Sequence, residues 1–206
     1  TEGSSMKRVL ITGASGLIGG ILRRHLEERG GYKIRALNRR PVEGVECIQA
    51  DISDLEAIKS AFDGIDVVAH MAAYLDGDDV EGHFATNVIG VYNVYEAARL
   101  AGVERVVFAS SGATARGFER GAPYEAIAHG RYDEVPRDFH KITHDQQWPS
   151  GVYGASKIWG EALGRHFSDA YGLSVLCVRI GRVNEPNRPE NIGEVARYLS
   201  HRDAAQ

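Results

Sequence analysis

Short apolar runs alternate along this chain with stretches whose apolar positions recur every three or four residues. Arg8-Val9-Leu10-Ile11 is a β-branched run that stops at Thr12-Gly13 and predicts a strand. From Leu17 to Arg29 the residues Leu17, Ile18, Ile21, Leu22 and Leu26 share a helical face. Tyr32–Leu37 and Cys47–Ala50 predict strands two and three, and Leu55–Phe62 a short helix. Val67–His70 is apolar on both faces, as buried parallel strands are. A long helix follows over Phe84–Ala101, closed by Gly102, then a fifth strand at Val106–Ala109. Val152–Tyr171 is a second long helix, followed by Gly172, and Ser174–Val178 is the sixth strand. Strand and helix alternate throughout, with no internal repeat. The pattern predicts an α/β fold, a doubly wound parallel sheet with helices on both faces.

The segment from Gly112 to Gly151 breaks this rhythm: it is long, polar and weakly periodic. A stretch of that size inside one domain is usually functional or mobile. It is read here as an insertion, 112–151, that covers a binding site within a single domain spanning 6–206.

Composition narrows the class. The 206 residues are 43% hydrophobic and 25% charged, enough apolar material for a full core. A net charge of −4 argues against a nucleic-acid surface or a polybasic membrane patch. No apolar run reaches membrane-spanning length. Thr1–Ser5 has no signal-peptide core and reads as a cloning remnant ahead of a natural start at Met6. Cys47 and Cys177 are far apart with no CxxC neighbour, which suggests neither zinc nor disulfides and fits a reducing cytoplasm.

The first strand runs into Thr12-Gly13-Ala14-Ser15-Gly16-Leu17-Ile18-Gly19, a TGxxGxxG pattern lying between strand and helix. Gly13 permits the tight turn, Gly16 lets backbone approach a pyrophosphate, and Gly19 lets the helix pack closely. The helix N-terminus then offers N–H groups and a positive dipole to phosphates, so dinucleotide binding is expected. At the end of strand two, where an acid normally binds the ribose of NAD, stands Asn38, followed by Arg39 and Arg40. The missing carboxylate and the two guanidinium groups tilt the reading toward NADP over NAD. Two solvated arginines beside an asparagine that bonds a ribose is the other reading. Asp51 is placed for the adenine end, or else for a turn before the helix at Leu55, where Ser53 or Asp54 could equally serve as cap.

Tyr153-Gly154-Ala155-Ser156-Lys157 puts a tyrosine and a lysine four residues apart on one helical face. Free tyrosine titrates near 10, too high for an efficient base at neutral pH; a nearby ammonium is expected to lower it. Such a tyrosine can take a proton from a carbinol as hydride leaves carbon for a nicotinamide. Ser110-Ser111 ends strand five at the carboxyl edge, where a hydroxyl can hold the reacting oxygen; Ser111, the last of the run, is favoured.

Together these residues resemble the extended short-chain dehydrogenase/reductase family, often called NAD-dependent epimerase/dehydratase. The resemblance runs from Lys7 to the C-terminus. It includes the glycine turn at 12–19, Asp51-Ile52, His70-Met71-Ala72-Ala73, Thr86-Asn87 with Val88 and Gly90, Ser110-Ser111, Tyr153 with Lys157, and Arg179-Ile180. It implies an NAD(P)-binding Rossmann fold with a small substrate-covering lobe and a catalytic triad of Ser111, Tyr153 and Lys157. The cofactor set would be Gly13, Ser15, Gly16, Leu17, Ile18, Gly19, Asn38, Arg39, Arg40, Asp51, Ile52, Met71, Ala72, Ala73, Asn87, Tyr153, Lys157 and Ile180. Asn87 would also support the active site, and no metal is implied.

Arg179-Ile180-Gly181 and the run Tyr198–Asp203 are similar to the uronate dehydrogenase and sugar 1-dehydrogenase branch, which oxidises the anomeric carbon of a sugar or sugar acid. Two features depart from that branch. The gap from Ser111 to Tyr153 is longer than usual, and Gly112 stands where asparagine is common. The chain also stops at Gln206, inside a helix expected to begin near Asp203, so C-terminal substrate elements are expected to be absent after 206. The resemblance further implies a homodimer built on the two long helices.

The expected activity is an NAD(P)-dependent oxidoreductase acting on a sugar-like small molecule. A nucleotide-sugar epimerase or dehydratase that recycles its cofactor is one alternative. A non-enzymatic NADP(H)-binding regulator is another, opposed by the presence of Tyr153 and Lys157. His140 and His144 lie in a polar loop without a metal-ligand pattern, and His70 reads as a packed histidine. Trp148, Tyr124 and Tyr132 are open to sugar stacking or loop packing, and Arg179 to an anionic substrate or a neighbouring acid.

Overall fold

In the computed structural model, which describes residues 6–77 and 79–206, strand β1 (Lys7–Thr12) shows why the sheet lies at the centre. Its last four residues are buried, Val9 and Ile11 on one side and Leu10 on the other. A strand covered on both faces needs helices above and below it. Thr1–Ser5, the stretch taken as a cloning remnant, lies outside the described residues.

Six parallel strands run in the order β3-β2-β1-β4-β5-β6. The other five are β2 (Tyr32–Asn38), β3 (Glu46–Gln49), β4 (Val67–His70), β5 (Arg105–Ser111) and β6 (Ser174–Ile180). β1 pairs with β2 through Val9↔Ile34 and with β4 through Val9↔Val67. Chain order therefore reverses direction at the β1–β4 junction, the crevice where open parallel sheets bind ligands. This is the doubly wound Rossmann fold. Helix α1 (Leu17–Arg29) covers one face through Leu22 and Leu26. The opposite face packs on α2 (Leu55–Ile58), α4 (Gly90–Leu100) and α6 (Gly151–Tyr171), through Ile58, Val94, Tyr95, Leu163 and Phe167.

The chain departs from the sequence reading mainly at element ends. β1, β2, β5 and β6 each run one or two residues past their apolar stretch, onto Thr12, Asn38, Ser111 and Ile180. Main-chain pairing continues past the apolar run, onto polar side chains in β1, β2 and β5. The helix expected from Phe84 begins earlier, at α3 (Val80–Gly82), because Asp79 caps it by accepting from the Gly82 N–H at 3.1 Å. It then passes through a wide π-helical stretch, His83–Ile89, before α4.

The 112–151 segment is no structureless loop. It holds 3₁₀ turns at Gly112–Thr114, Arg116–Arg120 and Tyr132–Glu134 and the short helix α5 (Tyr124–Ala128). Its own small core is aromatic: Phe118 packs edge-on against Trp148 at 5.3 Å and Tyr124 at 5.9 Å. Elements of three to five residues are too short to show a period, so the pattern could not reveal them. At the C-terminal end come α7 (Ile192–Val195) and α8 (His201–Ala205); Ser200 caps α8, and Ala205 packs against Ile21 of α1. No helix among the described residues is long and apolar enough to cross a membrane.

Candidate active site

The β1–α1 turn is built from glycine for steric reasons. Gly13 has φ +69°, and a Cβ there would sit 2.7 Å from Ala72 Cα in the chain that leaves β4. A Cβ on Gly19 would sit 2.3 Å from the Gly13 carbonyl, so this glycine brings the helix against the turn itself. The two loops are tied chemically as well. The Thr12 hydroxyl accepts from Ala72 N–H at 3.1 Å and lies 2.6 Å from His70 Nδ1. His70 is fully buried and stacks on Phe108 at 5.7 Å. Burial, with the Lys157 charge, lowers its pKa to about 3, so it is a neutral packing residue.

A cavity of about 340 Å³ opens at this junction. Gly13, Ser15, Gly16, Leu17, Ile18, Gly19, Asn38, Arg39, Arg40, Asp51, Ile52, Met71, Ala72 and Ala73 line it. Helix α1 starts at its wall with no side-chain cap and no acid in its first turn. Its N–H groups are therefore free for an anion, which fits a pyrophosphate. Asn38 spends its amide on local geometry: Nδ2 donates to Arg40 O at 2.7 Å, and Oδ1 accepts from the Ser15 hydroxyl at 3.2 Å. Arg39 and Arg40 are exposed at the rim. Asp51 accepts from the N–H and hydroxyl of Ser53, while Asp54 is the residue that caps α2. Leu37, Ala50, Leu75, Thr86 and Val183 also line the cavity. Sequence reasoning did not assign them to it; Leu75 and Val183 arrive on loops whose course only the fold determines.

Asn87, Tyr153, Lys157 and Ile180 lie outside this lining. Ile180 ends β6 opposite Ser111, in register with it, and packs with Ile21 and Val183. Strand alternation separates the two serines. Ser110 Oγ donates to Glu161 at 2.5 Å, joining the ion pair in which Arg179 binds both Glu161 oxygens at 2.8 Å. Arg179 is thus paired to a neighbouring acid. Ser111 points the other way: its Oγ accepts from Ala113 N–H at 3.1 Å, and the hydroxyl lowers the pKa of the Tyr153 phenol.

Tyr153 and Lys157 stand on adjacent turns of α6. The lysine is 2% exposed; its Nζ donates to Ala109 O at 2.8 Å and lies 5.5 Å from the Tyr153 ring centre. Burial lowers its pKa to about 8. The Tyr153 phenol is displaced upward, because burial outweighs the lowering effect of Ser111. This corrects the expectation that the ammonium would pull the phenol down. The lysine's charge is turned onto the Ala109 carbonyl, and burial dominates.

Asn87, 1% exposed, holds Tyr74 at both backbone groups: Oδ1 accepts from Tyr74 N at 2.8 Å and Nδ2 donates to Tyr74 O at 2.9 Å. Trp148 and Tyr124 are used within the 112–151 segment, the latter donating to His140 O at 2.6 Å, while Tyr132 is exposed. Among the described residues no three His, Cys, Asp or Glu side chains gather as metal ligands.

Comparison with known proteins gives the family of the chain. The profile of the NAD dependent epimerase/dehydratase family matches residues 9–201. An L-arabinose 1-dehydrogenase (NAD(P)(+)) of Haloferax volcanii is 34% identical over 85% of this chain and 67% of its own length. A uronate dehydrogenase of Agrobacterium fabrum is 32% identical over 96% of this chain and 69% of its own. Among solved structures, a mutant uronate dehydrogenase from Agrobacterium tumefaciens complexed with NAD superposes with a TM-score of 0.72 at 32% identity. That match covers 89% of this chain and 64% of the solved one, so the chain spans under two thirds of that neighbour. The glycine turn, the sheet order and the Ser111–Tyr153–Lys157 grouping are thus found together in a chain that belongs to the NAD dependent epimerase/dehydratase family.

Proposed function

We propose that this chain is an NAD(P)-dependent oxidoreductase that transfers a hydride between a nicotinamide cofactor and a hydroxyl of a sugar or sugar acid. The observation that carries the reading is the meeting of Ser111, Tyr153 and Lys157 at the carboxyl ends of the strands, beside a glycine-cradled cavity with an uncapped helix N-terminus. The names of the relatives, sugar and uronate dehydrogenases, support the substrate class.

A dinucleotide bound against Gly13, Gly16 and Gly19 supplies the hydride acceptor. The chain's own residues then handle the proton. Ser111 holds the substrate oxygen, and the Tyr153 oxygen exchanges a proton with it. Lys157, buried against Ala109, keeps a positive charge close to that exchange. Arg39 and Arg40, exposed at the rim with no carboxylate at Asn38, favour the 2′-phosphate of NADP. The 112–151 segment serves as the substrate cover. Next to Gly112 it encloses a second cavity of about 210 Å³, lined by Arg116, Phe118, Tyr124 and Arg197.

Exposed apolar residues on the α4–α6 surface (Phe84, Ile89, Tyr92, Trp159 and Tyr171) support a homodimer through these helices. The deciding experiment incubates the chain with L-arabinose, uronic acids and sugar phosphates, with NAD and NADP in parallel. Absorbance of reduced nicotinamide with a free sugar or uronic acid is expected. Tight cofactor retention without net reduction would indicate an epimerase or dehydratase instead.

A further inference from the structure

His83 has no part in the chemistry described above, yet it is 1% exposed and sits between two tyrosines. Its ring meets the Tyr74 ring edge-on at 5.3 Å and the Tyr153 ring at 6.2 Å, tilted by 47°. Both ring nitrogens are engaged. Nδ1 lies 3.0 Å from Asn87 Nδ2, and Nε2 lies 3.2 Å from Gly77 O. The Asn87 amide nitrogen is a donor, so Nδ1 must accept; the imidazole is then neutral and its Nε2–H donates to Gly77. The two Asn87 Nδ2 hydrogens go to the Tyr74 carbonyl at 2.9 Å and to His83 Nδ1; Ser156 Oγ lies 3.2 Å from the same nitrogen and donates to the Tyr153 carbonyl at 2.8 Å.

Tyr153 is therefore held twice, at its backbone through Ser156 and at its ring by the imidazole. The Gly77 carbonyl belongs to the segment that carries Leu75 into the nucleotide cavity. His83 itself lies in the π-helical stretch, a rare distortion that is frequent at functional sites.

We propose that His83 is a positioning residue: its neutral imidazole locks the 74–77 segment, through Gly77, to the orientation of the Tyr153 phenol. The assignment rests on Tyr153 being the proton-transfer residue. Misplacing a reacting group by about an ångström can cost on the order of 100-fold in rate. The role differs from packing, because it needs the donor at Nε2 as well as the ring.

Two variants separate these parts. His83→Phe keeps a ring and loses both hydrogen bonds. His83→Gln places its amide nitrogen near the former Nε2 and restores the Gly77 bond alone. Kinetics use NAD and whichever of L-arabinose, a uronic acid or glucose 6-phosphate the unmodified chain oxidises. His83→Phe is expected to lower kcat about tenfold, with the KM for NAD changed less than about twofold, and His83→Gln to recover much of the loss.

The second readout needs no turnover. Phenolate absorbance is titrated in chains with and without Tyr153→Phe, and the difference isolates Tyr153. With His83→Phe the Tyr153 midpoint should move down toward the ordinary tyrosine value as its seat loosens. An unchanged midpoint with unchanged kcat overturns the proposal. So does a kcat loss that His83→Gln fails to recover while the midpoint stays put, since that is the signature of packing alone. If His83→Phe does not fold, His83→Asn, which keeps only the acceptor toward Asn87, decides by the same criteria. Absence of turnover in the unmodified chain would count against the oxidoreductase reading, while the titration would still test His83.

Discussion

At the residue scale, the Tyr153 phenol titrates above its ordinary value, so at neutral pH it rests as an acid. Sugar oxidation needs the deprotonated form, and its kcat is expected to rise steadily from pH 7 toward pH 9. Tyr153→Phe should cut kcat by about 10²- to 10⁴-fold while leaving NAD affinity, measured by fluorescence titration, nearly intact. His70 gives a test of stability. Its pKa falls from 6.5 in the unfolded chain to about 3 in the folded one. Its contribution is therefore complete above pH 6.5 and is lost as pH drops toward 3, by about 1.4 kcal/mol per unit. Denaturant midpoints between pH 7 and pH 5, before carboxylates titrate, should fall, and His70→Gln should flatten the slope. The residue types at this site were legible in the sequence, because TGxxGxxG and Tyr-x-x-x-Lys are local spacings. The sense of the Tyr153 shift was not, since it depends on how far three separate elements bury one phenol.

At the element scale, alternation of apolar runs with helical periods disclosed every strand of the sheet and its two long helical segments, since each must cover a buried face. The π-helical turn at 83–89 left no such mark. It buries the polar His83 and Asn87, and a hydropathy pattern does not encode that. β5 and α6 meet at Phe108, which is fully buried against His70, Tyr95 and Lys157. Phe108→Ala is expected to cost about 3–5 kcal/mol in denaturant unfolding, since it opens a cavity at a point where four side chains converge. It should also depress turnover more than a remote core change of equal cost, because the Lys157 ammonium lies 4.9 Å from that ring.

At the scale of the whole molecule, the cavity could be anticipated because a reversal of strand order makes a crevice at a known edge. Its outer walls could not, because Leu75 and Val183 reach it along loops. The rim arginines give the cofactor test: replacing Arg39 and Arg40 together by alanine should raise the KM for NADP by about 10- to 100-fold and leave that for NAD within about twofold.

The last strand, β6, pairs with β5 and, among the described residues, with no other strand along its length. Leu176 and Val178 turn toward the side away from α6 and are 49% and 47% exposed. Sheet borders of that kind act as templates for other chains. Concentrated solutions of this polypeptide should thus light up an apolar dye and turn turbid on warming, and a lysine in place of Val178 should clear them.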